Sequence, residues 1–298
     1  MTASFAFLVN PASGGGAAPQ AVVPVARLLR DAGAAVQVTY SPGPRATRDL
    51  VATAVSRGDV VVAVGGDGML ASVVGEVSRT GGTLGLVPAG RGNDFARMLG
   101  VPGDPAGQAE TLLAGRVSKV DLLCHDGARL VAGSVYAGVD AAANEVVDRA
   151  HWLPRRFQYP YAALRSLATY RPGHYAVDVD GTVHEFHAAT VVIANSAYYG
   201  KGMRIAPSAV VDDGLLDVVV VGAASRRALV QSLPKVYDGR HVELDGVTVL
   251  QGSRVEISAD AAAPVPVGGD GEGLGVLPAR GQAPTVVELL PSALQILS

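Results

Sequence analysis

Short β-branched runs alternate with helix-length amphipathic segments through the first third of the chain, and the runs keep ending in glycine-rich loops. Residues 5–9 read as a buried strand, Asn10-Pro11-Ala12-Ser13-Gly14-Gly15-Gly16 as a turn, and Val22, Val25, Leu28 and Leu29 as the apolar stripe of a helix. The unit recurs: strands over 35–40, 60–64 and 84–87, helices over 47–57 and 70–79, with Gly65-Gly66-Asp67-Gly68 as the second loop. Parallel strands need crossover connections, and helices of this length provide them. The pattern therefore predicts a doubly wound parallel sheet with helices on both faces.

After Val117 the rhythm changes. Runs over 130–136, 174–179, 184–194 and 215–221 follow one another with few helices between them, which predicts a mainly antiparallel β domain. Helical interruptions are expected around 141–149, 159–170 and 225–233. The expected domains are 1–124 and 125–284; whether the last strand-like run, about 285–298, returns to the first domain is left open by the sequence.

Composition excludes several classes. The chain has 298 residues, 49% of them apolar, which is ample for a buried core. Its 24 basic residues nearly balance 27 acidic ones, for a net charge of −3, so no global positive field invites nucleic acid. Only Lys119, Lys201 and Lys235 are lysines; the remaining basic residues are arginines. A single cysteine, Cys124, rules out an internal disulfide framework and suits a reducing cytoplasm. Mean hydropathy is high at +0.29. Even so, the apolar runs fall far below the ~18 consecutive residues of a membrane-spanning helix, and the N-terminus lacks the basic start of a signal peptide.

Three glycine loops carry the chemical signal: Asn10 to Gly14, Gly65 to Gly68, and Pro88-Ala89-Gly90-Arg91-Gly92-Asn93-Asp94-Phe95. Each follows an expected strand. In an open α/β sheet the carboxyl ends of the strands form the ligand crevice, and glycines let backbone N–H groups approach phosphate oxygens. A carboxylate such as Asp67 beside phosphates is repulsive unless a divalent cation lies between them, so Asp67 is a candidate ligand of Mg²⁺-ATP. No G-x-x-x-x-G-K-[ST] sequence occurs, and the dinucleotide spacing G-x-G-x-x-G is absent from the first loop.

These segments resemble the diacylglycerol kinase catalytic family, which includes sphingosine kinases and soluble bacterial lipid kinases. Asn10 to Gly14 is similar to N-P-x-S-G, Gly65 to Met69 to G-G-D-G-T, and Pro88 to Arg97 to P-x-G-T-x-N-D-F-A-R. Further along, Gly200 to Pro207 is similar to G-G-G-M-x-x-A-P, Val211 to Asp217 to D-D-G-L-L-D, and Asp270-Gly271-Glu272 to the terminal D-G-E. The resemblance covers essentially the whole chain. It implies transfer of the γ-phosphoryl of ATP to a primary lipid hydroxyl, with the active site in the cleft between an α/β nucleotide domain and a β-sandwich acceptor domain.

Carried over residue by residue, the resemblance makes Asp270 the general base, with Asp67 and Asp94 as the other catalytic acids and Asp121 in support. It assigns nucleotide contacts to Asn10, Pro11, Ser13, Gly14, Tyr40, Gly65, Gly66, Asp67, Gly68, Met69, Arg91, Asn93 and Glu272. A second, structural Mg²⁺ falls to Asp213 with the carbonyls of Val210 and Leu215. The implied partner is a lipid acceptor at a membrane surface, with the enzyme cytoplasmic and peripheral at the inner face. The segment His151 to Tyr159, with the sole Trp, Phe157 and an Arg pair, suits such an interface, although it would also suit a packed helix corner. Edge strands would permit a homodimer.

Several positions depart from the family pattern. Met69 replaces Thr, Ala71 and Ser72 replace Asn and Glu, and Arg91 replaces a second Thr. Gly15 and Gly16 stand where a basic residue is common. Two readings remain open: a kinase with an adjusted pocket, or a degenerate member that binds nucleotide or lipid without turnover. Retention of Asp67, Asp94 and Asp270 favours turnover. An NAD kinase-like enzyme, which would share the G-G-D-G loop, is a more distant alternative.

Overall fold

The computed structural model describes residues 3–41, 43–142, 153, 161, 165–166 and 171–298. The helices expected around 141–149 and 159–170 and the segment 151–159 lie almost wholly outside the described residues. Two compact units emerge: one of Met1–Leu122, Gly200–Gly202 and Leu290–Ser298, the other of Leu123–Tyr199 and Met203–Leu289.

In the first unit the chain runs β1 (Ser4–Val9), α1 (Ala18–Asp31), β2 (Ala35–Tyr40), α2 (Pro44–Ser56), β3 (Val60–Gly65), α3 (Asp67–Thr80), β4 (Thr83–Pro88), α4 (Asp94–Met98) and α5 (Pro105–Ala114), then enters β5 (Val117–His125). The parallel strands lie in the order β2-β1-β3-β4. Phe5, Phe7 and Val9 of β1 and Val62 and Val64 of β3 bury their side chains against Val22, Val25, Ala26 and Leu29 of α1. That stripe at helical spacing explains why the segment is a helix at all: removing about 25 cal/mol per Å² of apolar surface from water holds it to the sheet.

Strand order places the ligand end. The chain leaves β1 to one side, returns past it, and continues on the other side as β3, so the switch point lies between the carboxyl ends of β1 and β3. The register aligns those ends: Val9 pairs with both Tyr40 and Val64, and Gly65 with Pro88. All three glycine loops leave this one edge, where open α/β sheets bind ligands.

The second unit is antiparallel. It contains β6 (Arg129–Val131), β7 (Ser134–Gly138), β8 (Gly173–Val179), β9 (Thr182–Ala194), β10 (Leu216–Gly222), α6 (Arg226–Asp238), β11 (Val247–Gly252), β12 (Arg254–Asp260), β13 (Pro266–Gly269), β14 (Glu272–Val276) and the first part of β15 (Thr285–Leu297). The 13-residue β9 joins two parts of one continuous sheet. Its first half pairs with β8, which continues to β12, and its second half lies between β7 and β10. Val177, Val255, Ile257 and Val287 meet Val191, Ile193, Val218 and Val220 in one core, the packing of a sandwich. Tyr136, Val192 and Val219 on the opposite face are covered by Ile205, Ala206 and Ala209. With both faces buried, these strands read as continuous apolar runs.

One expectation changes. The run over 130–136 is two strands, broken at Ala132-Gly133, because the N–H groups there turn to a side chain, Asp270, instead of a ladder. Strands β11 to β14 are absent from the expected set: β13 and β14 are short and glycine-rich, whereas β11 and β12 are as long as strands that the pattern does reveal. The last strand does return: β15 runs from the second unit into the first, where Gln295 and Ile296 pair parallel with Thr83 and Leu84 of β4. No helix among the described residues is long and apolar enough to cross a membrane.

His241 is buried beside α6, its Nε2 3.0 Å from the Ile205 carbonyl. Burial holds its imidazole below the ordinary pKa, against the opposing effect of its hydrogen bonds. The unfolded chain thus binds more protons than the folded one just below about pH 6.5, and stability present at neutral pH is lost as pH falls through that interval. His241→Gln should flatten this loss, read as the difference in Tm between pH 5 and pH 7.5; an unchanged difference would assign the acid sensitivity elsewhere.

Candidate active site

The three loops touch. Asn10 Oδ1 accepts the Ala12 N–H at 3.0 Å, closing the first loop into a tight turn, and the Asn10 N–H donates to the Val64 carbonyl at 3.2 Å. Gly14 (φ 62°) lies so close to the third loop that a side chain there would come within 2.2 Å of the Ala89 carbonyl oxygen. Gly66 and Gly90 meet backbone to backbone: a Cβ on Gly90 would stand 2.4 Å from Gly66 Cα. Only glycines permit this contact. Ser13 places its hydroxyl against Gly65, and Tyr40 is half exposed at the end of β2.

Carboxylates hold the contact in place. Asp67, in the first turn of α3, accepts the N–H groups of Asn93 at 3.0 Å and Asp94 at 2.7 Å. Asn93 is left-handed (φ 53°), and its side-chain amide bonds both the N–H and the carbonyl of Gly90. Asp94 is buried and accepts the N–H groups of Lys201 at 2.8 Å and Gly202 at 2.6 Å. Burial, and then the nearby Asp67 charge, raise the Asp94 pKa, while those two donors and Arg97 oppose the rise. Gly65, Gly66, Asp67, Pro88 and Asn93 line a small cavity at this point. Its wall includes the amino end of α3, where the Met69 and Leu70 N–H groups donate to the Gly66 carbonyl and the positive end of the helix dipole favours an anion.

In the second unit Asp270 sits with Gly271 in a two-residue hairpin between β13 and β14, both with positive φ (47° and 86°). This is the turn geometry that Asp-Gly favours. The Asp270 carboxylate accepts N–H groups from Ala132 at 2.7 Å, Gly133 at 2.9 Å and Ser134 at 3.1 Å. Tyr136 completes the support: its ring lies over Gly268, and its hydroxyl accepts the Gly271 N–H at 3.2 Å. Sequence reasoning missed Tyr136 and the 132–134 turn, although Gly133 within the apolar run is a local signal of a break.

The remaining expected site residues take other places. Asp121 is buried, and its carboxylate accepts the Ser292 N–H at 2.7 Å, a tie to β15. Glu272 pairs with Arg129. Met69 is buried against Gly65, and the Ser72 hydroxyl donates to the Met69 carbonyl at 2.7 Å, so the first turn of α3 presents no side-chain hydroxyl at 69. Arg91 is exposed and does not fill the cavity. Asp213 is exposed and accepts the Leu215 N–H at 3.0 Å in a local turn, with Val210 and Leu215 also exposed. Among the described residues no cluster of three or more His, Cys, Asp or Glu side chains could hold a metal ion. Asp217, the last acid of the D-D-G-L-L-D segment, is fully buried: it accepts from Ser208, its Oδ2 has no partner, and burial raises its pKa with Asp213 adding to the rise.

Each retained acid therefore has a structural task. Asp67, Asp94 and Asp270 all order backbone N–H groups distant in sequence, so their retention alone does not separate turnover from its loss.

Comparison with known proteins follows the same division. Residues 4–125 match a family model described as the diacylglycerol kinase catalytic domain, and residues 133–298 one described as the YegS C-terminal NAD kinase beta sandwich-like domain. A protein of Mycobacterium tuberculosis named diacylglycerol kinase is 33% identical over 297 residues, covering 97% of this chain and 93% of its own length. A Bacillus subtilis protein of the same name is 23% identical over 223 residues, 74% of this chain and 73% of its own. In fold, the chain is similar to a crystal structure of a diacylglycerol kinase from Bacillus anthracis, with a TM-score of 0.72 at 20% identity, over 99% of this chain and 96% of that one.

The loop contact yields a direct test. Gly90→Ala should force the second and third loops apart and lower unfolding free energy by about 1–3 kcal/mol, measured by urea denaturation; an unaltered midpoint would show that the backbones do not meet.

Proposed function

The chain belongs to the diacylglycerol kinase family, and on that premise we propose that it transfers the γ-phosphoryl group of ATP to a primary hydroxyl of a lipid such as diacylglycerol. The observation that carries this reading is the convergence of three glycine loops on the β1/β3 switch point, with an N-terminal helix end and a carboxylate-pinned backbone around one small cavity. Such a cradle suits phosphates, whose transfer depends mainly on positioning and charge stabilisation.

In the reaction, the acceptor oxygen would attack the γ-phosphorus, the bond from that phosphorus to the β,γ-bridging oxygen would break, and ADP would leave. Asp270 would take the hydroxyl proton; its three backbone donors fix the carboxylate in one orientation. Asp67 and Asp94 would act by holding the third loop against the phosphates. Mg²⁺ would accompany ATP, screening phosphate charge from Asp67. For a structural cation, the residues fit at Asp217, whose buried Oδ2 lacks a partner and lies under the influence of the Asp213 charge. Asp217 and Asp213, with loop carbonyls, would hold it, and oxygen ligands suit a hard divalent ion. Against diacylglycerol in mixed micelles, the enzyme would work at a lipid surface as a peripheral protein.

Asp270→Asn should lower kcat for ADP formation by about 10²- to 10⁴-fold and leave the ATP dissociation constant within about twofold of wild type. Wild-type turnover by that variant would remove Asp270 from the role of base.

A further inference from the structure

Helix α6 buries little of itself. Of its 13 residues only Leu229 is buried, while Val236 packs partly against the cluster of Tyr136, Val192 and Ile205. Leu229 and Val236 stand two turns apart on the inward side, and they account for the attachment of the helix. A second apolar stripe does not serve that purpose. Val230, Leu233 and Tyr237 recur at the i, i+3, i+7 spacing of one helix face, and 47%, 38% and 56% of their surfaces stay in water. Single exposed apolar side chains are ordinary, whereas three in a row along one face point to a contact.

Charges at the two ends of the stripe indicate what it meets. Arg226 and Arg227, both exposed, open the helix behind the Ser225 cap, whose hydroxyl accepts the Ala228 N–H at 3.2 Å. Cations are disfavoured in a first turn, at the positive end of the helix dipole, so this pair does not serve the stability of the helix. At the other end Arg204, also exposed, donates its backbone N–H to the Val236 carbonyl at 2.8 Å, which brings a third arginine to the turn that carries Tyr237. Anionic headgroups match the arginines, acyl chains match Val230 and Leu233, and a tyrosine suits the boundary between them. A second copy of the chain matches less well. Asp238, the one acid of α6, is already paired with Arg240, and three side chains fall short of the ~800 Å² per partner of a stable protein interface.

We propose that α6 docks this protein on an anionic bilayer, lying in the headgroup plane with Val230, Leu233 and Tyr237 inserted and Arg226, Arg227 and Arg204 on lipid phosphates. The choice of a lipid surface rests on the kinase reading above, because a diacylglycerol acceptor resides in a bilayer. The contact itself needs neither ATP nor acceptor, so the two can fail separately. It is also distinct in sequence from the segment His151 to Tyr159.

The test is co-sedimentation with vesicles of phosphatidylcholine, with and without phosphatidylglycerol, for wild type, Val230→Ser/Tyr237→Ser, Arg226→Gln/Arg227→Gln and Lys235→Gln, with Tm and light scattering for each. Removing the arginine pair from the first turn should keep or raise Tm, which separates loss of binding from loss of folding. Wild type should bind the anionic vesicles, and each double variant should bind them at least about tenfold more weakly. Lys235 lies on the side of the helix opposite the stripe, and its replacement should change binding by no more than about twofold. All four proteins should phosphorylate dissolved dioctanoyl diacylglycerol equally, with the loss confined to acceptor held in vesicles. Wild-type vesicle binding by both double variants overturns the proposal and leaves the kinase reading standing. A wild type that ignores both kinds of vesicle also overturns it, and turnover of the dissolved acceptor then judges the kinase reading by itself. Self-association that Val230→Ser/Tyr237→Ser abolishes, with vesicle binding unchanged, assigns the stripe to a second copy and overturns the proposal.

Discussion

Backbone N–H groups in loops have no ladder or helix to join, and a buried one left unpaired is costly, on the order of 1–3 kcal/mol. In this protein carboxylates answer that need at long range in sequence. Asp67 collects Asn93 and Asp94; Asp94 collects Lys201 and Gly202; Asp270 collects Ala132, Gly133 and Ser134. Hydrogen bonds to an ionised acceptor are the stronger kind. The glycines explain how the loops can come close; the carboxylates explain why they stay. Without these ties the strands would still form a sheet, but its carboxyl edge would lack a defined surface.

This arrangement joins stability and chemistry in the same atoms. Asp94 is buried near Asp67, and both burial and that neighbouring charge disfavour its ionised form; two N–H donors and Arg97 favour it. The loop that Asp94 pins carries a lysine in a glycine conformation. The departures at Met69 and Arg91 differ in kind. One removes a hydroxyl from the helix start, and the other puts an exposed cation on the facing loop.

Much of the first unit was legible because its periods are strong. Val22, Val25 and Leu29 recur at helical spacing, residues 60–64 form an unbroken apolar run, and the glycine loops fall at the strand ends, so strands, helices and the ligand edge could all be located. The resemblance added family and reaction class. What could not be read was the use of each acid. Asp121, Asp67 and Asp270 look alike as sequence letters, but their roles depend on which distant N–H groups fold against them. Likewise 130–136 looked like one strand: Gly133 hints at a break, but nothing local announces that Asp270, far along the chain, imposes it. For Asp217 a strand end and a metal ligand were equally legible, because the missing partner of its Oδ2 is a property of the packed interior alone.

The route of β15 has an implication for synthesis. A ribosome completes all of the second unit before it makes the residues that pair with Thr83 and Leu84. The first unit therefore emerges early yet waits with the β4 edge uncovered, an exposed apolar strand of the sort that recruits wrong partners. Its sheet closes through a contact spanning about two hundred residues, which slows the last step and makes the final stretch of the chain the latch on the oldest part of the fold.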